Sequence, residues 1–273
     1  MNALFDAHLH IINPAFPLIE NQGYLPPNFL VNDYLKRVSG LNVKSGVVVS
    51  GSFQGFDQRY LVDCLAQLNS HSQPLHCNFV GVTQLPASVS DQELIHLDKR
   101  GVRSVRFNLR RGGSESIAEL EQMAWRVHNL LKWHVELYTG YDSLNALKNV
   151  LPNLPAVCID HLGLEKQSLP LMKSLLEQGV KVKACGFGRL DFDPIVAIKE
   201  FYAISPTAIM FGTDLPSTRA PKPFENEHFE RLKDALGSKA MAQIAWENGR
   251  SFYGLSNDSG LSTEPRFKAK FCH

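Results

Sequence analysis

Two histidines, His8 and His10, stand one residue apart in FDAHLH (5–10). A third, His161, closes the run AVCIDH (156–161), and Asp214 closes AIMFGTD (208–214). A partly desolvated carboxylate beside imidazoles can take a proton from water and pass it on. The same groups can hold a divalent ion, or the imidazoles can donate hydrogen bonds to an oxygen that is gaining charge. Any one of these histidines taken alone reads as readily as a satisfied core residue. The four residues together do so only if the fold scatters them.

Guanidinium groups supply a second theme. Arg106 sits in GVRSVRFN (101–108), Arg110 and Arg111 follow in RRGG, and Arg189 lies in CGFGR. A guanidinium binds a carboxylate through two parallel hydrogen bonds, so two of them facing one cavity would suit an acid or a diacid. The plainer reading of Arg106 is a buried ion pair, and that of Arg110 and Arg111 a solvated pair on a turn.

The elements that must position these groups alternate along the chain. Short β-rich runs occur at 4–9, 45–51, 77–83, 101–108, 134–139, 156–161, 180–186 and 208–214. Between them lie stretches of helical periodicity, as in ELEQMAWRVHNLLK (119–132), where Leu120, Met123, Ala124, Val127, Leu130 and Leu131 recur at helical spacing. Eight strand-then-helix units of this length predict a single-domain (β/α)8 TIM barrel over residues 1–255, with a doubly wound open sheet as the competitor. The C-terminal strand ends of such a barrel carry its chemistry, and His8, His10, Arg106, Tyr138, His161, Arg189 and Asp214 all fall there. Two residues apart on a strand, His8 and His10 face one cavity. The Pro-rich segment 13–29 is expected to lie over the barrel mouth as a lid. The polar tail 256–273 reads as a flexible extension or as an arm onto a partner subunit of a homo-oligomer. Lys183 faces in or out according to register, Trp125 and Trp133 are expected to pack between helix and barrel, and His71, His76, His96, His128 and His228 are expected at the surface.

Composition narrows the classes. With 273 residues, 44% hydrophobic content and 28 basic against 27 acidic residues, the chain can bury a full core and carries no charge excess that would suit nucleic acid. The absence of a leader pattern and of an apolar run of about 18 residues predicts no membrane partner and a cytoplasmic location. Five scattered cysteines (Cys64, Cys77, Cys158, Cys185, Cys272) suit reduced thiols, with Cys77, Cys158 and Cys185 in the core.

DAHLH, GVRSVRFN, IDHLG and FGTDLP, in that order and at these intervals, resemble the amidohydrolase superfamily, and within it the 2-pyrone-4,6-dicarboxylate lactonase-like branch. The likeness runs from the first strand to NGRSFYGL (248–255). It implies a barrel hydrolase that opens a small anionic lactone bearing carboxylates or sugar-acid hydroxyls. Asp214 would then be the base, with His8, His10 and His161 as its catalytic partners. Arg106, Tyr138, Arg189 and, more loosely, Arg111 or Arg110 would bind substrate carboxylates. Metal-dependent members draw further ligands from strand five, where this chain has Tyr138 at the end and His134 at the far rim. A two-metal centre is therefore not expected. No cofactor is expected to be required, the alternative being one Zn or Mn ion on His8, His10 and Asp214, with His161 nearby. Other readings are a metal-dependent decarboxylase or amidohydrolase on the same barrel, and a non-catalytic protein that binds acidic ligands.

Overall fold

The computed structural model describes residues 3–70 and 78–255. The tail 256–273, Cys77, Cys272, His71 and His76 lie outside the described residues. The strands are β1 (Leu4–Leu9), β2 (Val43–Val49), β3 (Phe79–Thr83), β4 (Val102–Asn108), β5 (His134–Tyr138), β6 (Val157–Ile159), β7 (Lys181–Ala184) and β8 (Ile209–Phe211). They pair in sequence order, every neighbour parallel, in one eight-stranded sheet. Leu9 bridges Leu215, His10 N donates to Leu215 O at 2.7 Å and Asp214 N to His8 O at 2.7 Å, which joins the last strand to the first. The (β/α)8 barrel follows, and an open sheet is excluded.

Period-two alternation divides the strand residues between two environments. Val48, Val105, Phe107, Val135, Leu137, Val182 and Phe211 belong to the large core under the helices, whereas Val47, Val49, Val80, Val82, Cys158 and Met210 form a smaller cluster inside the barrel. The helix Leu120–Leu131 buries Leu120, Met123, Ala124 and Val127. Trp125 lies about 100° round the helix from Ala124 and is 44% exposed, so it does not pack onto the barrel as expected; Trp133 does, fully buried with Nε1 donating to Asp98. His96 is exposed, while His128 and His228 are half-buried.

The strand ends are shorter than the sequence runs. His161 lies two residues past β6 and Asp214 three past β8, both in left-handed backbone at φ 52° and 60°. For non-glycine residues this conformation is uncommon, and it clusters at functional sites. β1 also departs from simple alternation: its register shifts between Asp6 and Leu9. Asp6 accepts from Tyr34 Oη (2.9 Å), Thr213 N (2.8 Å) and Thr213 Oγ1 (2.7 Å), tying β1 to the turn after β8, while His8 faces the barrel interior. No helix of the described residues is long and apolar enough to cross a membrane.

Candidate active site

The four residues singled out for catalysis converge at the C-terminal end of the barrel. His8 is fully buried between two carboxylates, with Nδ1 3.3 Å from Asp160 Oδ1 and Nε2 3.8 Å from Asp214 Oδ1. His10 Nε2 approaches the same Asp214 oxygen at 3.6 Å. The His8 ring lies 5.0 Å, centroid to centroid, from both His10 and His161. Ligand atoms of His8, His161 and Asp214 all fall within 4.8 Å of one another, so His161 belongs to the central set and is not an outlier to it.

Glycines make room for this convergence. Gly186, at φ +63°, passes so close to His161 that an added Cβ would stand 2.6 Å from its Nδ1. Gly212 packs directly against the backbone of His8, where a Cβ would meet the amide nitrogen at 2.7 Å.

Electrostatics differ between the partners. Burial alone would raise the Asp214 carboxyl, but Arg189, with Nε 2.7 Å from Oδ2, and the surrounding histidines outweigh it and hold Asp214 well below the usual carboxylate range. Burial pushes His8 down to about 4 against the pull of Asp160, and it pushes His161 well below the usual imidazole range. His8 and His161 are therefore neutral at pH 7. His10 Nδ1 lies 2.7 Å from the Val49 carbonyl, which can only accept. A hydrogen therefore sits on Nδ1, and when it is the ring's one hydrogen Nε2 carries a lone pair suited to ligation or proton acceptance.

The donor set fits one cation. Among the described residues, His8 Nε2 and Asp214 Oδ1 are buried without a hydrogen-bond partner, while His8 Nδ1 is turned to Asp160 Oδ1 at 3.3 Å. Tetrahedral ligands at about 2.0–2.1 Å from zinc are separated by roughly 3.3 Å, close to the spacings of Asp214 Oδ1 from His8 and His10.

The arginines separate into distinct roles. Arg106 is buried, with Nε (3.1 Å) and Nη2 (2.7 Å) on Asp160 Oδ2 and Nη1 on the Ser50 carbonyl (2.8 Å), and its guanidinium lies over Tyr138. It touches the cavity, but its fork is already engaged by a carboxylate. Arg110 is half exposed and pairs with Glu165 at 3.4 Å, outside the cavity. A cavity of about 40 Å³ is walled by His10, Phe53, Arg106, Arg111, Tyr138, His161, Arg189 and Arg219, among others. Of the two neighbouring arginines it is thus Arg111 that lines the cavity.

Two residues escaped sequence reasoning, and the direction of a third, Lys183, was open. Asp160 is adjacent to His161 in IDHLG and so stood in plain view. Arg219 lies in the loop after β8, in a stretch without any recognisable pattern. Beneath the site, Lys183 points inward, completely buried, with Nζ 2.5 Å from Glu136 Oε2 and 3.9 Å from Asp160 Oδ1. Glu136 also receives Tyr253 Oη and stands 3.0 Å from His134 Nε2, which places His134 on the far side of the charge layer from the candidate cluster.

Comparison with known proteins agrees with this architecture. A family model described as amidohydrolase matches residues 5–255. The chain is 25% identical over 231 residues to the 4-sulfomuconolactone hydrolase of Rhizobium radiobacter, covering 78% of this chain and 75% of that one. It is 31% identical over 163 residues to the 2-pyrone-4,6-dicarboxylate hydrolase of Comamonas testosteroni, covering 58% and 51%. A crystal structure of a probable 2-pyrone-4,6-dicarboxylic acid hydrolase from Acinetobacter baumannii, with citric acid bound, superposes with a TM-score of 0.75 at 22% identity over 92% of this chain and 99% of that one.

Proposed function

The chain belongs to the amidohydrolase family, and from that premise we propose that it is a hydrolase opening the ring of a small lactone that carries acid groups. The observation that carries this reading is Asp214, a buried carboxylate facing three imidazoles at the mouth of a barrel, beside a cavity walled by guanidinium groups. The relatives' names specify a sulfo-substituted lactone and a pyrone dicarboxylate, and both fit a cavity of that charge.

In this mechanism Asp214 takes the proton from the attacking water and delivers it to the ring oxygen as the carbonyl–oxygen bond breaks. Arg189 fixes the carboxylate through Oδ2, leaving Oδ1 turned to the histidines. Asp160, itself held by Arg106, orients His8. Tyr138 packs edge-on against His161 with ring centroids 5.1 Å apart and walls the cavity. His8, His10, His161 and Asp214 would hold a single divalent ion, which would polarise the lactone carbonyl and make water more acidic. The unpaired Nε2 of His8 and Oδ1 of Asp214 favour this over the cofactor-free alternative.

The test is ring opening of 2-pyrone-4,6-dicarboxylate, 4-sulfomuconolactone and sugar-acid lactones by chelator-treated protein, with and without added Zn²⁺ or Mn²⁺. Turnover of an acidic lactone is expected, lost on metal removal and restored by a stoichiometric ion. Full turnover in the stripped protein would leave Asp214 and the histidines as a metal-free apparatus. Turnover of none of these lactones in either state would sink the lactonase reading in favour of a metal-dependent decarboxylase or amidohydrolase, or of an acid-binding protein.

A second expectation concerns His161. Gly186→Ala puts a methyl group against both the His161 ring and Arg189 Cδ, and forces alanine into left-handed backbone. Displacing a catalytic group by a fraction of an ångström is expected to lower kcat on the order of a hundredfold. Backbone strain of about 1 kcal/mol would lower Tm by only a few degrees. Unchanged kcat in the folded variant would remove His161 from the reacting set.

A further inference from the structure

The charges around the cavity do not balance, and the imbalance lies on one side. Arg106 is neutralised by Asp160 and Arg189 by Asp214. Arg111 and Arg219 also line the cavity, yet among the described residues neither has a carboxylate within ion-pair distance. Both are braced by the segment 21–24. The carbonyl of Arg111 accepts from Asn21 Nδ2 (3.1 Å) and Gln22 Nε2 (3.4 Å), and its Nη1 donates to Gln22 Oε1 (3.2 Å). Arg219 Nη2 donates to the carbonyl oxygen of Asn21 and lies 3.4 Å from its Oδ1, while the guanidinium stacks 4.4 Å from the Tyr24 ring centroid. The Arg219 guanidinium is thus held at Asn21 and the Arg111 guanidinium at the adjacent Gln22. The backbone of Arg219 is left-handed at φ 60°, an uncommon conformation for a residue of this size.

Burial and the neighbouring charges of Arg111 and Arg189 make the Arg219 proton easier to lose, as expected of like charges held together without an anion between them.

We propose that Arg219 is a specificity-determining residue: with Arg111 it forms a second anion subsite, beside Asn21, that selects lactones bearing a second carboxylate or sulfonate over those bearing one. This deepens the lactone reading and rests on it for the identity of the ring, but the subsite's preference for two anionic groups is measurable without any reaction.

The probes are benzene-1,3-dicarboxylate and benzoate, planar rings that cannot be hydrolysed, titrated into the full chain by calorimetry. Wild type is expected to bind the diacid at least about tenfold more tightly than the monoacid, the scale of one charge-assisted hydrogen-bonded contact. Arg219→Gln is expected to abolish that preference by weakening the diacid alone, and Arg219→Lys to keep part of it through charge without the planar fork. Equal loss of both ligands in Arg219→Gln, no loss of either, or absence of the preference in wild type overturns the proposal. A diacid preference that depends on Arg219, in a protein that turns over no lactone, supports the subsite while the lactonase reading fails.

Discussion

Asp214→Asn is expected to lower kcat for ring opening by about 10³-fold or more, at the upper part of the range for loss of a positioned general base. The amide keeps the volume and one oxygen of the carboxylate but cannot accept the proton of water. Asparagine also tolerates the left-handed backbone at this position, φ 60°, so the loop after β8 keeps its path. Arg189 loses its anionic partner, but its side chain is about 10% exposed and can turn toward water. Tm is therefore expected to change by only a few degrees. Metal content of the purified variant separates the two functions of Asp214: an intact ion complement with lost turnover assigns it to proton transfer, whereas loss of both assigns it first to ligation. Retention of more than about a tenth of wild-type kcat would remove Asp214 from the chemistry altogether. A non-catalytic acid-binding protein would show no turnover in either form.

The convergence of the candidate cluster was legible because its members stand on or just past strands. A barrel brings the C-terminal ends of all its strands to one face, so four polar residues far apart in the chain could be grouped before any contact was known. The eight runs themselves match the eight strands, with ends misjudged by a few residues, since the runs end on His161 and Asp214, which stand in left-handed turns just past β6 and β8. Loops were harder. Arg110 and Arg111 are neighbours with the same chemistry, and only the turn after β4 decides that one pairs with Glu165 and the other lines the cavity. Arg219 had no strand to point from. The sequence offers Arg106 for substrate binding, with a buried ion pair as the plainer option, and the geometry engages it with Asp160, a carboxylate brought within reach because β4 and β6 both flank β5. Lys183 was ambiguous for a different reason. A one-residue change of register reverses the direction of every side chain on a strand, and β7, with only four paired residues, shows little apolar pattern to set it.

Lys183 is where stability is expected to be most sensitive. Its ammonium and the Glu136 carboxylate are both fully buried and 2.5 Å apart, and Lys183→Met leaves the carboxylate in the barrel without its cation. Breaking one side of a buried pair costs about 3–5 kcal/mol, which in a chain of this size lowers Tm by roughly 10 °C. His134 and Tyr253 still contact Glu136, but neither is a fixed positive charge. Adding Glu136→Gln to Lys183→Met removes both charges and is expected to recover most of the loss, whereas Glu136→Gln alone leaves the lysine only Asp160, 3.9 Å away and already held by Arg106, and destabilises as well. The pH dependence carries the sign of the pair. Burial opposes the charge on each group, but the partner wins, so Glu136 lies below its ordinary 4.5 and Lys183 above its ordinary 10.5. The carboxylate's contribution is present above about pH 4.5 and is lost as pH falls through its lowered value. The lysine's contribution is complete below about pH 10.5 and is lost as pH rises through its elevated value. The Tm gap between wild type and Lys183→Met should therefore stay constant through neutral pH and narrow in acid, as protonation relieves the stranded carboxylate in the variant. Thermal melts from neutral pH down to about pH 4 decide it. A gap that does not narrow, or a double variant no more stable than the single one, would mean that Lys183 acts by packing and not by charge.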